Sequence, residues 1–106
     1  MLAKSEVIDL VERYTTAVTK ELSPSAVVIF GSYIDGTPTE DSDIDIGVIF
    51  NGFSGDRRSV SKKIWDLAYD ISFEIEPHLL DIKDDKSGFA NHVYKTGQVV
   101  YQAPVY

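Results

Sequence analysis

Apolar residues recur through residues 5 to 22 at Val7, Leu10, Val11, Tyr14, Ala17 and Val18, the i, i+3, i+4 spacing that gives a helix one buried face. Ser5 is placed to cap the start of this helix. Ser23-Pro24-Ser25 ends it, because proline has no N–H with which to continue the ladder. The pattern then changes. Ala26 to Phe30 is an unbroken apolar, β-branched run and reads as a buried strand, and Ile44 to Phe50 reads as a second. Gly36 and Pro38 supply turn signals between the two, and Asn51-Gly52 and Gly55 break the chain after them. From about Arg58 to Tyr69 the helical spacing returns, with Val60, Ile64, Leu67 and Ala68 on one stripe and Ile71 in line to extend it. Residues 71 to 76, Ile-Ser-Phe-Glu-Ile-Glu, alternate strictly; this predicts a half-buried strand with Ile71, Phe73 and Ile75 inward and Pro77 at its close. Ser87 to Thr96 reads as a third, shorter helix with Gly97 at C′, and Val99 to Tyr101 as a short final strand. The order α-β-loop-β-α-β-α-β predicts an α+β (α/β) fold, a small mixed β-sheet flanked by helices.

A chain of 106 residues fits one domain, here 1–106, with one core and no repeat or linker. The absence of cysteine excludes disulfides and thiolate metal sites and is compatible with a cytoplasmic protein. No apolar run approaches the ~20 residues of a membrane span. The start, MLAKSEVIDLVERY, is amphipathic and charged, unlike a signal peptide. A formal net charge of −7 argues against a broad electrostatic surface for nucleic acid. A nucleotide substrate would have to be met through cations. Without such a substrate, the same charge simply keeps the chain soluble.

That condition directs attention to residues 31 to 45, GSYIDGTPTEDSDID, lying between the two apolar strands. Asp43 and Asp45 are two apart at the start of a strand, so both side chains share one face, roughly 6–7 Å apart at Cα. Carboxylates so placed can converge on two cations roughly 3.5–4 Å apart. Magnesium suits them, because it takes oxygen ligands, keeps several waters and completes its shell with substrate phosphates. Ile44 and Ile46 take the opposite face and anchor the strand. Gly31 and Ser32 stand where the first strand ends. Glycine lets backbone come close to a phosphate, a helical turn starting there would turn free N–H groups toward an anion, and the serine hydroxyl adds a donor. Glu74 and Glu76, on the polar face of the alternating strand, supply a third carboxylate suited to act as general base on an attacking hydroxyl. Glu74 is preferred, because Glu76 abuts Pro77.

Gly31-Ser32, ten residues, then Asp43-Ile44-Asp45 resembles the signature of the nucleotidyltransferase superfamily with the DNA polymerase β fold. The approach VVIFGS…DSDIDIGVIF and the length resemble its minimal, MNT-type members, often antitoxin partners of HEPN-domain toxins. The resemblance implies a mixed sheet flanked by helices, ATP or another nucleoside triphosphate as donor, and Mg²⁺, with two ions expected. It makes Asp43 and Asp45 metal ligands, joined by Glu74 or Glu76, and puts Gly31 and Ser32 on the triphosphate. It implies transfer of a nucleoside monophosphate, AMP from ATP, to an acceptor such as a HEPN toxin; the sequence leaves open whether the chain works in a homo- or hetero-oligomer. The chain departs from the pattern at Tyr33-Ile34-Asp35, where many members carry an arginine able to neutralise phosphate charge. A second reading follows from this departure: a catalytically silent module of the same fold that masks a partner protein. A third is a cation- or nucleotide-sensing domain without transfer chemistry.

Other residues read more plainly. Asp41 is a solvated neighbour of the pair. Lys83 and Lys86 follow the third strand, within possible reach of a phosphate, while Arg57, Arg58, Lys62 and Lys63 cluster at the start of the second long helix. All six read first as solvated surface charges. His78 and His92 are isolated and carry no assigned role. Trp65 and the tyrosines read as core or interface, and the aromatic end, Tyr101 to Tyr106, as a surface for a partner chain.

Overall fold

The computed structural model describes residues 2–36, 38, 43–53 and 55–104. Its elements run α1 (Lys4–Glu21), β1 (Ala26–Phe30), α2 (Ser32–Asp35), β2 (Ile44–Phe50), α3 (Arg57–Ile71), β3 (Ile75–Asp81), α4 (Phe89–Thr96) and β4 (Gln98–Gln102). The four strands form one sheet in the order β3-β2-β1-β4. Strand β1 is antiparallel to both β2 and β4, whereas β2 and β3 are parallel and joined through α3. The architecture is therefore the small mixed sheet with flanking helices that the sequence pattern predicts.

The apolar runs explain the layering. Strands β1 and β2 are central, so both of their faces must be covered, and their side chains are apolar on both. Val27, Ile29, Ile44, Ile46, Val48 and Phe50 pack with the buried stripe of α1 (Val7, Val11, Tyr14, Val18) and with Ile64 and Ala68 of α3. Each such buried side chain contributes about 1.5–3 kcal/mol of transfer free energy. The buried Tyr14 hydroxyl donates to the Ile64 carbonyl oxygen at 2.8 Å, tying α1 to α3. On the other face Ala26, Val28 and Ile49 pack with Val93 of α4, flanked by Phe30, Leu80 and Ile82.

Two expectations are corrected. Helix α1 starts at Lys4, one residue ahead of Ser5, and the Glu6 carboxylate accepts the Ala3 N–H at 3.1 Å. A larger change concerns residues 71 to 76. Helix α3 continues through Ile71, Ser72 caps it, and residues 73 and 74 form a turn. Phe73 is 84% exposed, and of the expected inward triplet Ile75 alone is fully buried. The strand instead runs from Ile75 to Asp81, with Pro77 inside it and paired with Ile46. Proline is tolerated because β3 is an edge strand. The Glu74 carbonyl accepts from Ile44 N–H and Ile82 N–H donates to Phe50, so the even-numbered residues bond to β2. Period two then turns position 77, which has no N–H, toward the open edge.

Candidate active site

Three elements bring the candidate residues together. Strand β1 ends at Phe30, directly opposite Asp45 of β2, and Asp45 is in register with Glu76 of β3. The next position on that face pairs Gly47 with His78. One ligand atom from each of Asp45, Glu76 and His78 lies within 4.8 Å of the others. His78 Nε2 is 3.0 Å from Asp45 Oδ1 and 3.8 Å from Glu76 Oε1. The side chains of Asp45, Glu76 and His78 are 25%, 40% and 29% exposed, so the cluster is open to an ion from solvent yet partly screened from water. Phe30 sets the His78 ring from one side, its centroid 5.0 Å away in an edge-on arrangement, and Phe89 of α4 packs edge-on against Phe30.

Asp43 precedes β2, near enough to Glu76 for a protonated Glu76 carboxyl to donate a hydrogen bond to its carboxylate. Partial burial first, then that hydrogen bond and the negative charges of Asp45 and Asp43, raise the Glu76 carboxyl above its ordinary range, with His78 opposing the rise. Three carboxylates crowded in this way favour a cation. The donor set, oxygen with one imidazole nitrogen, fits a divalent metal ion.

The Gly-Ser step lies against this cluster. Gly31 has φ 81° and ψ −155°, a region that only glycine occupies without strain. A Cβ placed there would overlap Asp45 Oδ2. Glycine is thus required twice, for the backbone angle and for the space beside the carboxylate. Ser32 opens α2, whose Ile34 and Asp35 N–H groups bond back to the Gly31 carbonyl, leaving the Ser32 and Tyr33 N–H groups without partners inside the helix. Asp35 closes that helix, exposed.

The structure thus brings Asp43, Asp45 and Glu76 together beside Gly31 and Ser32. It does not bring Glu74 into the ligand-atom cluster: Glu74 is exposed in the turn before β3, where its carbonyl accepts from Ile44 N–H. The preference for Glu74 rested on Pro77 ending the strand, which it does not. Sequence reading missed His78. The signal was available, since His78 follows Glu76 by two residues and shares its face, but ending the strand at Pro77 hid it. Lys83 follows β3 at its far end, beside Gly52, the end away from Asp45, and so leaves the candidate phosphate contacts. Lys62 and Lys63 pair with Asp66 and Glu21 on the surface. Asp41 lies outside the described residues, as do the last two of the aromatic end, Val105 and Tyr106.

An apolar groove lies elsewhere. It has a volume of about 1070 Å³ and is lined by Val7, Val11, Ile29, Tyr33 and Val99, among others. It is mostly apolar and holds none of the clustered carboxylates, so the chemistry points to the acidic face instead.

A strand-turn-strand frame presenting paired carboxylates beside a Gly-Ser turn defines a nucleotidyltransferase-type domain. The family model described as "Polymerase beta, Nucleotidyltransferase" matches residues 12–104, and the chain belongs to that family. Among solved structures, a candidate nucleotidyltransferase from Sulfolobus solfataricus is similar over 92% of this chain and 81% of its own, with a TM-score of 0.68 and 21% identity. A variant of the toxin-antitoxin complex MntA-HpeT is similar over 97% of this chain and 75% of its own, with a TM-score of 0.58 and 21% identity. These likenesses establish the fold. No curated protein matches the chain by sequence. Among the described residues no helix is long and apolar enough to cross a membrane.

Proposed function

We propose that the chain transfers a nucleoside monophosphate, AMP from ATP, to a hydroxyl on an acceptor, and that the acceptor is a HEPN-domain toxin for which the chain is the antitoxin. The observation that carries this reading is the convergence of Asp45 and Glu76 from two strands beside a glycine that leaves space over Asp45. The backbone at Gly31 and the Ser32 hydroxyl bind and orient the triphosphate. Asp43 and Asp45 hold Mg²⁺ or a similar divalent ion; when bound, such ions polarise the α-phosphate and offset the charge of the departing pyrophosphate. Glu76, whose environment raises its proton affinity, takes the proton of the acceptor hydroxyl. The acceptor oxygen forms a bond to the α-phosphorus, the bond to the bridging oxygen of the β-phosphate breaks, and pyrophosphate leaves. Membership of the family and the likeness to a toxin-antitoxin component support the reading.

The test is transfer of label from [α-³²P]ATP to the co-purified partner. Asp45→Asn and Glu76→Gln are each expected to lower the rate at least 100-fold, in keeping with the usual ~10²–10⁴-fold contribution of such groups. Undiminished transfer by either variant sinks the assignment. Exposed Asp35, in the turn that would grip phosphate, favours a second reading in which the fold silences a partner by masking alone. An Asp43→Asn, Asp45→Asn chain that still neutralises its partner in full would establish masking. Lost neutralisation with the complex intact would establish catalysis.

A further inference from the structure

We infer that His78 is a metal ligand, and that this nitrogen makes the site select first-row transition ions, Mn²⁺ among them, over Mg²⁺. The inference rests on the metal-dependent reading above and deepens it. His78 Nε2 lies 3.0 Å from Asp45 Oδ1 and 3.8 Å from Glu76 Oε1, so the imidazole nitrogen and the two carboxylates face one point. That trio forms the tight cluster of donor atoms, and Asp43 joins it through Glu76. The position is built. Strand register fixes His78 one step along the face from Glu76, and the Phe30 ring, itself backed by Phe89, packs edge-on against the imidazole.

The chemistry of the donors sets the selectivity. Magnesium is a hard ion that prefers oxygen and gives up water reluctantly, so it gains little from an imidazole. First-row transition ions bind imidazole well and exceed magnesium in affinity for mixed nitrogen and oxygen sites. Mn²⁺ also suits carboxylates, water and phosphate oxygens, which leaves room for a nucleoside triphosphate on the same ion. An all-carboxylate site would discriminate weakly between Mg²⁺ and Mn²⁺; one nitrogen shifts the balance toward Mn²⁺.

The test is electron paramagnetic resonance of the purified chain titrated with Mn²⁺, with Mg²⁺ as competitor. Wild type is expected to bind Mn²⁺ at least tenfold more tightly than Mg²⁺, and the echo-modulation spectrum should show coupling to a ¹⁴N nucleus. His78→Gln should lose that coupling and lower the Mn²⁺/Mg²⁺ preference about tenfold. Bound Mn²⁺ without ¹⁴N coupling in the wild-type spectrum overturns the inference, with no variant needed. So does an unchanged preference in His78→Gln. Either result leaves the carboxylate reading standing if Asp45→Asn abolishes binding. Absence of any Mn²⁺ binding to wild type, or binding that Asp45→Asn and Glu76→Gln leave intact, overturns both.

Discussion

At Gly31 the demands of backbone and of site fall on one residue, so its substitution separates this frame from an ordinary loop. Gly31→Ala forces a side chain into a glycine-only region and against Asp45. Such strain costs about 1–3 kcal/mol, so the variant should unfold at lower denaturant and lose divalent-ion binding together. A denaturant melt paired with a Mn²⁺ titration checks both. The Gly-Ser and Asp-x-Asp residues were legible in the sequence because they are local: strand period alone sends Asp43 and Asp45 to one face. Glu76 was legible only as one of two candidates; the choice between it and Glu74, and the place of His78, were not, because they depend on which strand lies beside β2 and in what register, and register is a property of the folded sheet.

Among the elements, the segment from 71 to 76 shows how a local period can mislead. Its alternation fits a strand, but Ile71 completes the buried stripe of α3, and the helix keeps it. The strand is displaced toward Asp81, and Phe73 is left on the surface. Phe73→Ala should therefore change stability by under ~0.5 kcal/mol, as surface substitutions do. Ile75→Ala should cost about 2–5 kcal/mol. Equal costs in urea unfolding would restore the sequence-based strand. The α1-α3 contact gives a second expectation. Tyr14→Phe deletes the buried bond to Ile64 and should cost about 0.5–1.5 kcal/mol. Burial raises the Tyr14 hydroxyl above its ordinary value near 10. Its contribution is thus fully present below pH 10 and is lost as pH rises through the folded value; Tyr14→Phe should be the less alkali-sensitive chain.

For the whole molecule, a net charge of −7 and a crowded acidic face act in the same direction. Glu76 is raised from its ordinary 4.5, so in the window above that value the folded chain holds a proton that the unfolded chain has released. Stability of the metal-free chain is then expected to rise as pH falls from 7 toward 4.5, and to be lost as pH rises through the folded value of Glu76. Asp85, lowered by hydrogen bonds from the N–H groups of Asn91 and Ala90, works the other way, losing its contribution as pH falls below 3.8. Calorimetric melts across pH 4.5–7.5, for wild type and Glu76→Gln, check the sign. The variant should melt higher than wild type at pH 7 and show a flatter profile. Under the metal-dependent reading, divalent ion should raise the wild-type midpoint at pH 7, as a ligand of the folded chain does.

The parallel pairing of β2 with β3 carries a consequence for how the protein matures. Asp45 and Glu76 are neighbours in space but are separated along the chain by all of α3. Such a pair forms late, because the long connection must be drawn in before any reward from contact is collected. A nascent chain therefore completes this acidic face only after α3 has docked, and an ion bound there would act as a clasp across a parallel seam that no short hairpin can close. Trapping of an ion during refolding would then follow the closure of that seam, and its rate would time the docking of β3 on β2.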